Sequence, residues 1–164
     1  MAESKPNAVR IAESYCAPRK LFFRLHSYPC REAVDGVTVA GMLGVPVENV
    51  FKTLVTQGKS GAYFVFVVPV AEELDLKKAA KSVGEKAVSM IPVKDINKVT
   101  GYVRGGCSPI GMKKQLVTRI DESAILCDNI FVSAGRIGQQ LELSAEHIIA
   151  ITGAQYADLT AEHA

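Results

Sequence analysis

The chain has 164 residues, of which 48% are hydrophobic and 22% are charged, and its formal net charge is +2. This balance predicts a folded globular protein and excludes a disordered chain or one that coats nucleic acid through its overall charge. The start of the chain lacks the apolar core of a signal peptide. The longest apolar run, residues 62–71, is about half of what a membrane helix needs. We therefore expect a cytoplasmic protein that binds neither membrane nor DNA.

The cysteines form no pattern typical of a metal site or a disulfide framework. They are Cys16, Cys30, Cys107 and Cys127, without a C-x-x-C pair or a histidine-rich neighbour. We expect free thiols, no metal and no cofactor.

The first predicted elements are a helix, a strand and a second, short helix. Residues 7–16 place apolar side chains at helical spacing, with Asn7 as a candidate N-cap. Residues 21–28 alternate between two faces, which predicts a strand with one face buried. Residues 38–43 predict a short helix that Gly44 closes.

A β-hairpin and a further helix follow. Residues 50–56 and 62–70 are rich in β-branched and aromatic side chains, and a glycine-containing turn separates them. Residues 75–84 predict a helix with Asp75 near its start and Gly84 at its end.

The rest of the chain continues to interleave the two kinds of element. We predict strands at 86–90, 116–120, 130–133 and 140–143, and helices at 93–100 and 145–152, the last capped by Ser144. Because the hairpin requires antiparallel pairing, the sheet cannot be all-parallel. We expect one mixed α/β domain over residues 1–164, with its core at about 8–158, built round a curved, partly closed barrel with flanking helices.

Two features indicate a binding site. Residues 105–111 hold three glycines and a proline, so they form a loop that exposes backbone N–H groups able to bind a carbonyl oxygen or a phosphate. Lys52 lies inside an apolar strand, where a charge is costly unless it has a function. Together they predict a site for a small, electron-rich ligand.

Four segments in the same order resemble the YbaK/EbsC family, whose best-known members are bacterial Cys-tRNA(Pro) deacylases. These segments are Phe51-Lys52-Thr53-Leu54, residues 74–81, residues 100–114 and Ile130-Phe131-Val132-Ser133, and the resemblance runs from about Ala8 to Asp158. It implies a YbaK-like fold and a free-standing relative of the editing domain of bacterial prolyl-tRNA synthetases.

The resemblance also implies a reaction, the cleavage of the aminoacyl ester of a misacylated tRNA, in the hydrolase or lyase class. A proline pocket rejects a smaller amino acid weakly, since one missing methylene is worth about 1–3 kcal/mol. Cys-tRNA(Pro) is the first expected substrate, and Ala-tRNA(Pro) or another misacylated tRNA is the alternative. A non-catalytic module that binds tRNA or a synthetase is a third reading, and prolyl-tRNA synthetase is a candidate partner.

By this resemblance Lys52 is the catalytic residue that orients the acyl carbonyl or the terminal ribose, although a lysine that reaches solvent from an edge strand is the ordinary alternative. Tyr28 would form a pocket wall, or lie at the surface. Gly105 and Gly106 would turn their amides to the substrate, or only form a tight turn. Ser108 would bind the terminal adenosine, or only stabilise its own turn.

Three further substrate-binding residues are implied: Thr53, on the other side of the strand from Lys52, and Ser133 and Gly135 in a second glycine loop. This loop departs from the family pattern because Ala134 replaces a glycine, so the resemblance leaves the exact pocket size open.

The candidate tRNA-binding residues are lysines outside these loops: Lys77, Lys78, Lys81, Lys113 and Lys114. They could bind acceptor-stem phosphates, or simply form a solvated helix face.

In this family no protein side chain is a compulsory nucleophile, and the thiol of the substrate cysteine is thought to attack its own ester. The sequence agrees, because His26, His147 and His163 lie far apart and no serine- or cysteine-hydrolase signature is present. Cys107 has no local base, so we expect a small buried side chain there rather than a nucleophile.

Overall fold

The computed structural model describes residues 4–161 as a mixed α/β fold with two sheets. The helices are α1 (Asn7–Arg19), α2 (Gly36–Leu43), α3 (Leu76–Ser82), α4 (Ile96–Thr100) and α5 (Ala145–Thr152). The strands are β1 (Phe23–Ser27), β2 (Phe51–Gly58), β3 (Tyr63–Pro69), β4 (Val88–Met90), β5 (Val117–Asp121), β6 (Ile130–Ser133), β7 (Gln139–Leu143) and β8 (Gln155–Ala157). Three short 3₁₀ helices cover Val47–Asn49, Val93–Asp95 and Glu122–Leu126.

The strands form a three-stranded sheet in the order β1-β7-β6 and a five-stranded sheet in the order β4-β2-β3-β5-β8. The predicted hairpin pairs β2 with β3, whereas β3–β5 and β5–β8 are parallel, which confirms a mixed fold. One parallel bridge, Val50 to Phe131, links the two sheets. Neither sheet closes on itself by strand pairing, so the partly closed barrel stays a prediction.

Strand β3 lies at the centre of the five-stranded sheet and is buried on both faces. Val65 and Val67 belong to the main core, which also contains β6, β7 and the inner faces of α1 and α5. Phe64, Phe66 and Val68 belong to a second cluster under α3. Burial on both sides explains why this strand is continuously apolar rather than alternating, and each buried large side chain contributes about 1.5–3 kcal/mol.

Several helix boundaries differ from the sequence prediction. Helix α1 begins after Pro6, and no side chain caps it, so the prediction of Asn7 as N-cap was wrong. Helix α2 starts two residues early, because the Asp35 carboxylate accepts a hydrogen bond from the Thr38 amide at 2.9 Å. Strand β8 was not predicted at all.

Within residues 4–161, no helix combines the length and the apolar character that crossing a bilayer requires. All four cysteines are free thiols.

Candidate functional site

A cleft of about 500 Å³ opens beside β2, between the two sheets. Residues 50–55 form one wall, and residues 33–36 at the start of α2 form another. The loop after α4 and the end of β6 also contribute to the lining. The start of α2 lies close to the sheet, since a Cβ atom on Gly36 would be only 2.1 Å from Cγ1 of Val70.

The cleft lies where β2 lacks a second neighbouring strand. On one edge β3 pairs with nearly all of β2. On the other edge β4 pairs only with Thr56–Gly58, and Val50 makes the bridge to β6. Residues 52–54 therefore have no strand partner on this side, and we call them the open edge.

The peptide groups of Thr53 point to the open edge. Val70 N donates to Val50 O at 2.9 Å, so even-numbered residues of β2 direct their peptide groups to β3. Ile91 N donates to Val55 O at 3.3 Å, so odd-numbered residues direct theirs to the opposite edge. The N–H and C=O of Thr53 consequently border the cleft.

Buried side-chain oxygens without partners gather at this cleft. Six buried side-chain nitrogen or oxygen atoms in residues 4–161 lack a hydrogen-bond partner. Three of them line the cleft: Thr53 Oγ1, Ser133 Oγ and Gln140 Oε1. Ser133 and Gln140 face each other across β6 and β7. Since buried polar atoms are costly when unpaired, these oxygens indicate a place for a ligand to supply hydrogen bonds.

Charges of both signs line the same cleft. Lys52 is half-buried and Arg104 is exposed, and neither makes an ion pair or a hydrogen bond with any residue of the described range 4–161. The Asp35 carboxylate accepts from the Thr38 amide at 2.9 Å and from its hydroxyl at 2.8 Å, and these bonds lower the pKa of Asp35. Asp35 is therefore an anion and a weak base.

Five of the predicted site residues come together in the cleft: Tyr28, Lys52, Thr53, Gly105 and Ser133. Lys52 and Thr53 alternate in direction along β2, yet both line the cleft because it runs along the strand edge. Gly106, Ser108 and Gly135 do not line it.

The polar groups of the glycine loop are already used inside the protein. Gly106 N donates to Val103 O at 2.9 Å, so its amide is not free for a ligand. A Cβ atom on Gly106 would lie 3.1 Å from Cα of Arg136, so glycine is needed where two loops meet. Ser108 is fully buried, and its Oγ accepts a hydrogen bond from Ile110 N at 3.3 Å. This contact matches the alternative interpretation, in which Ser108 stabilises its own turn.

The second glycine loop serves packing. Gly135 has a φ of +104°, and a Cβ atom there would lie 2.8 Å from Cβ of Pro6. Ala134 is buried in the main core and does not line the cleft. The Ala134 methyl group therefore lies in the core rather than at the cleft.

No activated nucleophile is found among the described residues of the cleft. Burial raises the pKa of Cys107 to about 11, so its thiol is neutral at physiological pH. Cys30 Sγ donates to Glu32 O at 2.8 Å. His26 lies outside the cleft and pairs with Glu142 at 2.8 Å. His163 lies outside the described residues.

The five candidate tRNA-binding lysines do not line the cleft. Lys78 Nζ donates to Asp158 Oδ1 at 3.1 Å and to Thr160 O at 2.8 Å, so it ties α3 to the following segment. Lys113 Nζ donates to Lys98 O at 3.3 Å. The remaining three, Lys77, Lys81 and Lys114, are exposed. For this set, contact with RNA stays a prediction.

Sequence reasoning missed three residues of the cleft: Asp35, Arg104 and Gln140. Arg104 could have been found, because it is a cation directly before the glycine loop. Gln140 and Asp35 carry no local signal, since their position depends on strand pairing and on the start of α2.

Comparisons with known proteins agree with one another. Residues 31–151 match the family model described as the aminoacyl-tRNA editing domain. EbsC of Enterococcus faecalis, provisionally named a Cys-tRNA(Pro)/Cys-tRNA(Cys) deacylase, is 44% identical over 158 residues, which cover 96% of this chain and 94% of EbsC. A proline–tRNA ligase of Fervidobacterium nodosum is 36% identical over 75 residues, which are 46% of this chain and 13% of the ligase. A crystal structure provisionally described as a trans-editing enzyme for prolyl-tRNA synthetase has a TM-score of 0.80 and 25% identity, covering 97% of this chain and 100% of that one.

Proposed function

The chain belongs to the aminoacyl-tRNA editing domain family, and we propose that it is a deacylase that acts in trans on misacylated tRNA. The proposed substrate is Cys-tRNA(Pro), which is also named for the Enterococcus relative. One observation carries the proposal. The half-buried ammonium of Lys52 has no partner among residues 4–161 and stands at the open edge of β2, beside unpaired peptide and side-chain groups.

The cleft offers a match for each polar group of an aminoacyl ester. Lys52 and the N–H of Thr53 are donors suited to the acyl carbonyl. The Gln140 oxygen and the Asp35 carboxylate are acceptors suited to the α-ammonium group. Arg104 is suited to a phosphate of the terminal nucleotides.

Tyr28, Gly105 and Ser133 complete the proposed binding surface. The Tyr28 ring would provide an apolar wall, and Gly105 would let the nucleotide approach the backbone closely. Gly106, Ser108 and Gly135 are proposed to support this surface from behind rather than to touch the substrate.

Catalysis is proposed to rest on stabilising the oxyanion. When the acyl carbon is attacked, negative charge grows on the carbonyl oxygen, and donors fixed in advance stabilise it without reorganising. Removing one such donor typically costs about 100- to 1000-fold in turnover. Lys52 and the Thr53 amide are assigned this role.

We infer that the substrate thiol is the nucleophile. Its sulfur attacks the acyl carbon, the ester C–O bond breaks, and the thiol proton passes to the leaving ribose oxygen, which gives a thiolactone and deacylated tRNA. Water then opens the thiolactone to free cysteine. The neutral thiol of Cys107 and the weakly basic Asp35 support this assignment, because neither suits attack on the ester.

The proposal also covers the partner of the protein, its location in the cell and its architecture. Similarity to a proline–tRNA ligase and to a trans-editing enzyme supports prolyl-tRNA synthetase as a partner. Charged tRNA as substrate supports a cytoplasmic location. The bridge from Val50 to Phe131 supports the two sheets acting as one partly closed barrel around the cleft, within a single domain over residues 1–164.

The test compares release of amino acid from tRNA(Pro) charged with cysteine, alanine, proline or S-methylcysteine. We expect fast release of cysteine and slow release of the other three, because only cysteine carries a free thiol. No release from any charged tRNA would contradict a deacylase. Equal release of S-methylcysteine would keep the deacylase but contradict attack by the substrate thiol, and preference for alanine would change the substrate.

A further inference from the structure

The groove between α1 and α5 carries positive charge without a neutralising acid. Helix α1 contributes Arg10, Tyr15 and Arg19 to its lining, and no acidic side chain belongs to that lining. Neither guanidinium pairs with a carboxylate of residues 4–161. Glu13, the acid on α1, instead pairs with Lys5 at 2.8 Å.

Arg19 and Tyr15 pack together in the lining of this groove. Tyr15 and Arg19 are four residues apart, and the Arg19 guanidinium lies 4.1 Å from the centroid of the Tyr15 ring. Arg19 also donates to Tyr15 O at 3.0 Å. A guanidinium placed over an aromatic ring can still direct its remaining N–H groups to an anion such as phosphate.

Contacts between neighbouring loops lead from the cleft towards this groove. Arg104 lies at the cleft, two residues before Gly106. A Cβ atom on Gly106 would lie 3.1 Å from Cα of Arg136, so the two loops touch. The guanidinium of Arg136 donates a hydrogen bond to Ser4 O, so Arg136 ties the second glycine loop to the segment before α1.

The second half of the path runs through the start of α1. A Cβ atom on Gly135 would lie 2.8 Å from Cβ of Pro6, and Pro6 O accepts from Arg10 N at 3.1 Å. The arginine path is defined by Arg104 at the cleft and by Arg10 and Arg19 in the groove.

We propose that the arginine path is the surface along which the phosphate backbone of the tRNA substrate leaves the cleft. This inference rests on the proposed function, since an aminoacyl ester bound at Lys52 obliges the nucleotide chain to continue outward from the cleft. One guanidinium group can bind two phosphate oxygens at once, and several arginines in series can follow a phosphate backbone. The lysines of α3 are the competing surface, but α3 covers the second core cluster and Lys78 is already engaged.

The first experiment measures affinity for uncharged tRNA(Pro) by fluorescence anisotropy over a range of KCl concentrations. We expect Arg10→Gln/Arg19→Gln to raise Kd about 10- to 30-fold near 0.15 M salt and to reduce the salt slope by about 2. The matched control is Lys59→Gln/Lys86→Gln, which removes the same charge near the β2–β3 turn. The competing variant is Lys77→Gln/Lys81→Gln. We expect the control variant and the competing variant to bind tRNA as the wild type does.

The second experiment compares kcat/KM for Cys-tRNA(Pro) with kcat/KM for a cysteinyl CCA trinucleotide. Arg10→Gln/Arg19→Gln should lower the value for the tRNA only, because the trinucleotide is too short to reach α1.

Unchanged tRNA affinity in this variant, an equal loss in the α3 variant, or an equal loss on both substrates would overturn the proposal. If the double variant fails to melt cooperatively, the single variants Arg10→Gln and Arg19→Gln replace it. A wild-type protein that cleaves neither substrate contradicts the proposed function, while the binding experiment still decides the arginine path.

Discussion

The open edge of β2 and the glycine loop at 105–111 border the same part of the molecule, but they differ in whether their polar groups are satisfied. At the open edge, Thr53 Oγ1 has no partner, and Lys52 has none among the described residues. In the loop, the Gly106 amide and Ser108 Oγ both have partners within the protein. The glycine loop therefore forms part of the wall of the cleft, whereas the open edge of β2 is the proposed binding surface for the substrate.

The physical reason lies in how each segment is paired. The loop must close on itself and against the second glycine loop, so its donors are consumed by turns. The edge of β2 is open because β4 is short and because β6 pairs with this segment only through the bridge at Val50, just before β2. An interrupted sheet edge keeps unpaired peptide groups at fixed positions, which suits transition-state stabilisation.

The largest expected effect is on Lys52. Lys52→Met removes the ammonium and keeps the volume, and we expect deacylation of Cys-tRNA(Pro) to fall about 100-fold or more, the cost of one oxyanion donor. The melting temperature should not fall, since the ammonium has no partner among residues 4–161 to lose. Single-turnover rates and thermal melts measure both. Lys59→Met, at an exposed turn, is the matched control, and turnover within threefold of wild type in Lys52→Met would remove the distinction between the two regions.

A smaller effect is expected at the unpaired oxygens of the cleft. Ser133→Ala and Thr53→Val should each lower kcat/KM about 10-fold, the worth of a hydrogen bond to a charged group. Their free energy of unfolding should stay equal or rise, because each removes a buried oxygen that has no partner. Urea unfolding and steady-state kinetics test this pair of outcomes, and a loss of stability without a loss of activity would contradict it.

The glycine loop should behave in the opposite way. Ser108→Ala and Gly106→Ala are expected to lower the free energy of unfolding by about 1–3 kcal/mol, through a lost buried hydrogen bond and a clash with the Arg136 backbone. The variants should keep kcat/KM within about threefold, because neither residue lines the cleft. A large loss of kcat/KM at full stability would mean that the loop binds substrate after all.

The smallest effect is expected at Cys107, which lines the cleft but is buried. Cys107→Ala should leave turnover nearly unchanged. Burial raises the pKa of the thiol from 9.0 to about 11, so alkylation by iodoacetamide should be slow at pH 8 and rise only towards pH 11. Because the folded pKa is the higher one, the thiol's contribution to stability is complete below pH 9 and is lost as pH rises towards 11. Fast alkylation at pH 7 would reopen a nucleophilic role.

The sequence predicted the parts of the fold that depend on local pattern. The β2–β3 hairpin and the Asp75 and Ser144 caps follow from turn residues and capping side chains, and the structure confirms them. The short strand β8 was missed because its three residues have no alternation to detect, and parallel pairing with β5 makes it a strand. Helix α1 runs through Pro18, which residue preference alone would place at a helix end.

Part of the lining of the cleft could be predicted from local sequence. Lys52 is unusual in its own strand and was found, and Gly105 was found from the glycine run. Gln140 reaches the cleft only through the pairing of β6 with β7, and Asp35 only because Gly36 lets α2 approach Val70. Such contacts between distant segments carry no signal in a local window of sequence.

The most direct measurement is a crystal structure with a non-hydrolysable substrate analogue, cysteine joined by an amide to 3′-amino-3′-deoxyadenosine. We expect the analogue at the open edge of β2, with its acyl oxygen within hydrogen-bond distance of Lys52 Nζ and its ammonium near Gln140. An analogue that binds the glycine loop or the α1–α5 groove, with Lys52 still free, would contradict it.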